Sequence, residues 1–216
     1  MRMRRKKHGA ERIAACADLL IADPATLAAN PQAPFPEEHP LCLEIGCGKG
    51  SFACGLAAKE PGINLIAIER VPDVACLALE RAAADRENRP GDNLRFVIGN
   101  AQNLAEWFPP HSLERIYLNF SDPWPKAGYA KRRLTHAGFL EMYRGVLHPG
   151  GRLCFKTDNV GLFEFSLEQF AAAGLTVEFE TRDLHHSPYA EGNIMTEYEA
   201  SFTAQGVPIN AAVVIF

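Results

Sequence analysis

The sequence predicts an α/β fold: a doubly wound, mostly parallel sheet of seven strands, with helices on both faces and an antiparallel hairpin at one edge. Three observations carry that expectation. Five short apolar runs alternate with amphipathic stretches after residue 40, the first run leads directly into a glycine-rich turn, and two strand-like runs follow one another near the end with no helix between them. Alternation of strands and helices gives right-handed crossovers and a sheet covered on both faces. Consecutive strands without a crossover helix pair antiparallel.

In chain order, residues 1–7 hold five basic side chains and lead into ERIAACADLLIA (11–22), whose apolar residues recur at helical spacing. NPQAPFPEEHP (30–40) contains four prolines and marks a linker. LCLEI (41–45), INLIAI (63–68), LRFVIG (94–99), RIYLNF (115–120) and RLCFKT (152–157) have the length and content of strands. FACGLAAKE, DVACLALERAAADRE, a short AQNLAEWF and HAGFLEMYRGVL lie between them as helices, and LFEFSLEQFAAAG (162–174) adds one more. LTVEFETRDL (175–184) and IMTEYEASFTAQ (194–205) are the two terminal strand-like runs. The expected organisation is an arm, helix and linker over 1–40 and one domain over 41–216.

At 216 residues, with 47% hydrophobic and 22% charged residues, the chain suits a single globular domain. No apolar run reaches the roughly 18–20 residues of a membrane span, and the basic N-terminus lacks an apolar signal core, so a cytoplasmic location without membrane partners is expected. The six cysteines form no Cys-x-x-Cys pair and the His185-His186 pair has no matching ligand cluster, which predicts reduced cysteines and no metal site. The net charge of −4 is uneven: residues 1–7 and 126–133 together carry nine basic and no acidic side chains, against 13 basic and 26 acidic elsewhere. Such segments suit a phosphate backbone, although clustered charge also occurs on ordinary solvated surfaces.

The turn LEIGCGKGSF (43–52) lets backbone approach a ligand closely through Gly46, Gly48 and Gly50. Ser51 stands where the dinucleotide fingerprint needs glycine or alanine, and Glu44 precedes the first glycine by two residues. This acidic-glycine turn resembles the first motif of the class I S-adenosylmethionine-dependent methyltransferases, a Rossmann-like fold. A carboxylate suits a ligand carrying an ammonium and a sulfonium better than one carrying a pyrophosphate. Glu69 ends the second strand on the same rim, where it can accept two ribose hydroxyls; either acid can also simply terminate its strand. The resemblance places Asn100 and Ala101 beside an adenine ring, with a helix cap the alternative for Asn100.

NFSDPWPKAGYAKRR (119–133) leaves the fourth strand at the rim where an acceptor must sit. Together with FKTDN (155–159), MTEYE (195–199) and the basic N-terminus, it resembles the bacterial tRNA (guanine-N7)-methyltransferases over nearly the whole chain. That resemblance implies an enzyme methylating N7 of a guanosine in the tRNA variable region, with S-adenosylmethionine as cofactor and tRNA as partner, as a monomer or homodimer. It further implies Asp122 as the catalytic position, also near the donor with Glu44, Gly46, Gly48, Glu69, Asn100 and Ala101. Lys126, Asp158 and Thr196, Glu197, Tyr198 and Glu199 would contact substrate, and Lys131, Arg132 and Arg133 would meet RNA phosphates. Trp124 would stack on a base or close the site. Gly128 and Tyr129 depart from the expected basic character of the loop, and Thr196 and Glu199, three apart, would face opposite ways in an ideal strand. A methyltransferase for another RNA base and a non-catalytic RNA-binding subunit are the alternatives.

Overall fold

A computed structural model describes residues 7–216, so all of the basic arm except Lys7 lies outside the described residues. Helix α1 (Gly9–Ala14) stops short of the length its sequence pattern predicts. A 3₁₀ turn follows, and Leu20 then makes a parallel bridge to Phe96, with Ile21 N–H donating to the Phe96 carbonyl at 2.9 Å. Tertiary pairing thus overrides helical periodicity. The stretch expected as a linker packs against the domain: Phe35 is buried in the main core, and Asn64 donates to Gln32 and to the Glu37 carbonyl at 2.7 and 2.8 Å.

The domain then runs β1 (Leu41–Ile45), α2 (Ser51–Lys59), β2 (Asn64–Glu69), α3 (Pro72–Ala84), β3 (Leu94–Ile98), α4 (Leu104–Trp107), β4 (Leu113–Asn119), α5 (Ala137–Val146), β5 (Leu147–Thr157) and α6 (Val160–Ala172). β6 (Thr176–Thr181), α7 (Glu197–Thr203) and β7 (Asn210–Ile215) complete it. The sheet order is β3-β2-β1-β4-β5-β7-β6, with β7 antiparallel to both neighbours and the other pairs parallel. One core cluster gathers side chains from β1, β4, β5, α5 and α6, and a second forms under α2 and α3. The winding direction reverses between β1 and β4, which opens a crevice at their carboxyl ends. Among the described residues no helix is long and apolar enough to cross a membrane.

The antiparallel edge exists, but its second strand is NAAVVI (210–215), not IMTEYEASFTAQ. The latter segment forms α7, because Thr196 and Glu199 make a capping box: the Thr196 hydroxyl accepts from Glu199 N–H, and the Glu199 carboxylate accepts from Thr196 N–H. A T-x-x-E start outweighs the apparent alternation. Within it Glu199 is fully buried.

The segment carrying α7 is fastened across the domain. Lys156, buried on β5, donates to Asn193 Oδ1, the Ile194 carbonyl and Glu199 Oε2 at 2.8, 2.8 and 2.6 Å. Lys59 donates to the Gly192 carbonyl at 2.9 Å. Burial pulls the Lys156 pKa down while Glu199 opposes the shift. Removing one member of such a pair leaves a buried charge without its partner. Lys156→Met is expected to lower unfolding free energy by about 3–5 kcal/mol in urea denaturation, and the Lys156→Met/Glu199→Leu double variant to recover most of it. Equal loss in the single and double variants would contradict this coupling.

Candidate active site

The β1–α2 turn folds as its glycines require. Gly46, Gly48 and Gly50 adopt φ of 79, 57 and 76°, a region that disfavours side chains. At Gly50 an added Cβ would also meet Ala78 Cβ at 3.0 Å, so this glycine sets how closely α2 approaches α3. Gly48 N–H donates to Glu69 Oε2 at 3.1 Å, and Val71 N–H donates to Glu69 Oε1 at 2.8 Å. The end of β2 is thereby tied to the glycine turn. Burial raises the Glu69 pKa against these hydrogen bonds.

Glu44 is buried at the end of β1. Its Oε1 accepts from Asn119 Nδ2, on neighbouring β4, at 3.0 Å. Its Oε2 is buried with no hydrogen-bond partner. Desolvation pushes its pKa up to about 7, opposed by the Asn119 hydrogen bond and the nearby Lys156 charge and assisted by Glu69. An open lone pair on a desolvated carboxylate strongly favours a cationic partner. Asn119 and Lys156 are site-supporting groups that the sequence pattern did not single out. The available signal was a polar side chain directly after an apolar run, close to the strand's carboxyl end.

Glu44 and Glu69 lie at a cleft of about 650 Å³, a size suited to a cofactor. Its wall brings together Glu44, Gly46, Gly48, Glu69, Asn100, Ala101, Asp122, Thr196, Glu197 and Tyr198. Asn100 Oδ1 caps the following 3₁₀ turn by accepting from Gln102 N–H at 3.1 Å, while the residue also faces the cleft. Glu197 pairs with Lys49 at 2.8 Å and with Arg81, so α7 is joined to the glycine turn and to α3. Glu199 lies away from the cleft, fully buried on Lys156 and Asn193. Lys126, Lys131 and Asp158 lie outside the cleft wall, Asp158 immediately beyond the end of β5.

The loop after β4 is held under backbone strain. Phe120 and Trp124 adopt positive φ of 54 and 41°, flanking Ser121, Asp122 and Pro123. Non-glycine residues persist there only where their surroundings enforce it. Arg133 does so: Nε and Nη2 donate to the Pro123 and Trp124 carbonyls, each at 3.1 Å, and its guanidinium lies 4.2 Å from the Phe165 ring centroid. Arg132 instead lies between aromatics, 4.9 Å from the Trp124 ring and 4.6 Å from Tyr129, and faces the cleft. Tyr129 therefore supports the basic loop where another cation was expected. Trp124 is half-buried in the cleft wall. Among the described residues no group of three or more His, Cys, Asp or Glu is arranged to hold a metal.

Residues 38–212 match the family model described as putative methyltransferase. The chain is 45% identical over 196 residues to a tRNA (guanine-N(7)-)-methyltransferase of Lachnoclostridium phytofermentans, spanning 91% of this chain and 90% of that protein. It is 42% identical over 212 residues to the protein of that name from Bacillus subtilis, spanning 98% and 97%. Among solved structures, a 16S rRNA methyltransferase, KamB, superposes with a TM-score of 0.63 at 15% identity over 87% of this chain and 93% of that one. A SAM-dependent methyltransferase from Aquifex aeolicus does so with a TM-score of 0.55 at 13% identity over 97% and 99%. The fold is thus widely shared, whereas the full-length sequence identity is specific: the chain belongs to the tRNA (guanine-N(7)-)-methyltransferase family.

Proposed function

We propose that this cleft transfers a methyl group from S-adenosylmethionine to N7 of a guanosine in the variable region of tRNA. The observation that carries this reading is the polarity of the cleft. A buried carboxylate oxygen without a partner stands at its floor, and an exposed acid with a basic, aromatic loop stands at its mouth. The floor fits the donor. Glu44 Oε2 faces the ligand's ammonium, Glu69 keeps free lone pairs for ribose hydroxyls, and Asn100 and Ala101 border the base. When bound, S-adenosylmethionine supplies an electrophilic methyl on a sulfonium, which leaves as a thioether as the N7–carbon bond forms.

Guanine N7 carries an in-plane lone pair and no proton, so no base is needed. Asp122 therefore acts by orientation, accepting hydrogen bonds from the guanine N1–H and N2–H₂ edge. Asp158, on the adjacent strand end, and Thr196, Glu197 and Tyr198 line the route by which the nucleotide enters, with Lys126 beside it. Glu199 acts from below, by fixing α7. Alignment of the two reacting atoms can account for on the order of 7–11 kcal/mol of barrier reduction. Lys131 and Arg132 meet RNA phosphates, whereas Arg133 holds the loop that presents Asp122.

Three experiments test this. Purified protein incubated with labelled methyl donor and unmodified tRNA, then digested to nucleosides, is expected to yield label in 7-methylguanosine. Asp122→Asn should lower kcat about 10- to 100-fold with little change in tRNA affinity. Label in another nucleoside, or normal turnover by that variant, would overturn the respective claim. In tRNA binding measured across salt concentrations, Lys131→Ala and Arg132→Ala should each reduce the log–log slope by about 1. Arg133→Ala should leave the slope unchanged and reduce turnover; a slope change there would assign it to phosphate instead.

A further inference from the structure

Among the described residues, two that line the cleft each carry a buried side-chain polar atom with no hydrogen-bond partner: Glu44 Oε2 and Ser121 Oγ. A buried hydroxyl without a partner is costly, and native structures rarely retain one unless a ligand or water completes it. Glu44 faces the donor. Ser121 lies between Asn119, which binds Glu44 at the floor, and Asp122, exposed at the mouth. All three residues line the cleft. The position of Ser121 is enforced from both sides, by the positive φ of Phe120 and Trp124 and by the Arg133 hydrogen bonds to Pro123 and Trp124.

Resting on the proposed guanine-N7 reading, we infer that the Ser121 hydroxyl donates a hydrogen bond to O6 of the target guanine. O6 adjoins N7 on the same edge of the base, so a base that presents N7 to the donor brings O6 into the cleft with it. The carboxylates Glu44 and Asp122 accept and do not donate when ionised, so they cannot satisfy an oxygen acceptor. A hydroxyl does. Asp122 on the N1–H and N2–H₂ side and Ser121 on the O6 side would hold the base at both ends of its polar periphery. Ser121 thus adds a third in-plane contact, on the oxygen adjoining N7.

The test crosses two proteins with two substrates: wild type and Ser121→Ala, each with tRNA carrying guanosine or 6-thioguanosine at the methylated position. Sulfur is a weak acceptor, while N7, N1–H and the 2-amino group are retained. Wild type should lose about tenfold in kcat/KM on the thio substrate, and Ser121→Ala should show nearly equal values on both. Ser121→Thr, which keeps the hydroxyl, should restore the preference for oxygen, and S-adenosylmethionine affinity by calorimetry should be unchanged in both variants. The same oxygen-to-sulfur ratio in wild type and Ser121→Ala would overturn the contact, as would a defect confined to S-adenosylmethionine affinity. If Ser121→Ala does not fold, an unimpaired wild type on the thio substrate overturns it alone. Failure of wild type to form 7-methylguanosine on the ordinary tRNA would instead overturn the functional reading beneath it.

Discussion

The half-satisfied carboxylate of Glu44 is the constraint on which the remaining structure depends. One oxygen accepts from Asn119 on the adjacent strand, and the other is buried without a partner. In water such a group is fully hydrated and selects nothing. At the end of a buried strand it lacks solvent, and its pKa rises to about 7. A cationic ligand restores the missing interaction and lowers that pKa again. Binding and ionisation are thereby linked at a single atom.

The fold supplies what that arrangement needs. Reversal of strand order between β1 and β4 places Glu44 and Asn119 on neighbouring strands, and the glycine turn leaves backbone, rather than side chains, facing the ligand. Lys156 serves twice: its charge tempers Glu44 from within the sheet, and its hydrogen bonds fasten the segment that brings α7 over the cleft. Above the cleft, backbone strain at Phe120 and Trp124 is balanced by Arg133, so the acceptor loop is a fixed platform. The carboxyl end of β4 thus supplies two parts of the cleft, Asn119 bound to Glu44 and, three residues on, Asp122 in the following loop.

Much of this was legible in the sequence, for reasons that differ by residue. Glu44, the three glycines and Glu69 are placed by short-range spacing at strand ends, and strand order then brings them together. Asp122 follows from the same rule applied to the fourth strand. Asn119 and Lys156 were missed because their roles depend on which strands are neighbours and on what lies beneath them. Arg133 was grouped with Lys131 and Arg132 because charge in sequence does not show whether a guanidinium meets solvent or a carbonyl. Alternation in the segment containing Thr196 and Glu199 predicts a strand, although its T-x-x-E spacing carries the opposite signal. The burial of Ser121 Oγ has no sequence signature.

If the proposed donor binds at Glu44, that carboxyl ionises as it does so. Calorimetric titration with S-adenosylmethionine, in buffers of different ionisation enthalpy at about pH 6.5, measures it directly, because the ligand's own ammonium, with an ordinary pKa near 7.7–8.0, is then already charged. With burial holding the Glu44 pKa up at about 7, wild type should release protons on binding, and Glu44→Gln distinctly fewer. No release by wild type, or equal release by both proteins, would contradict the account.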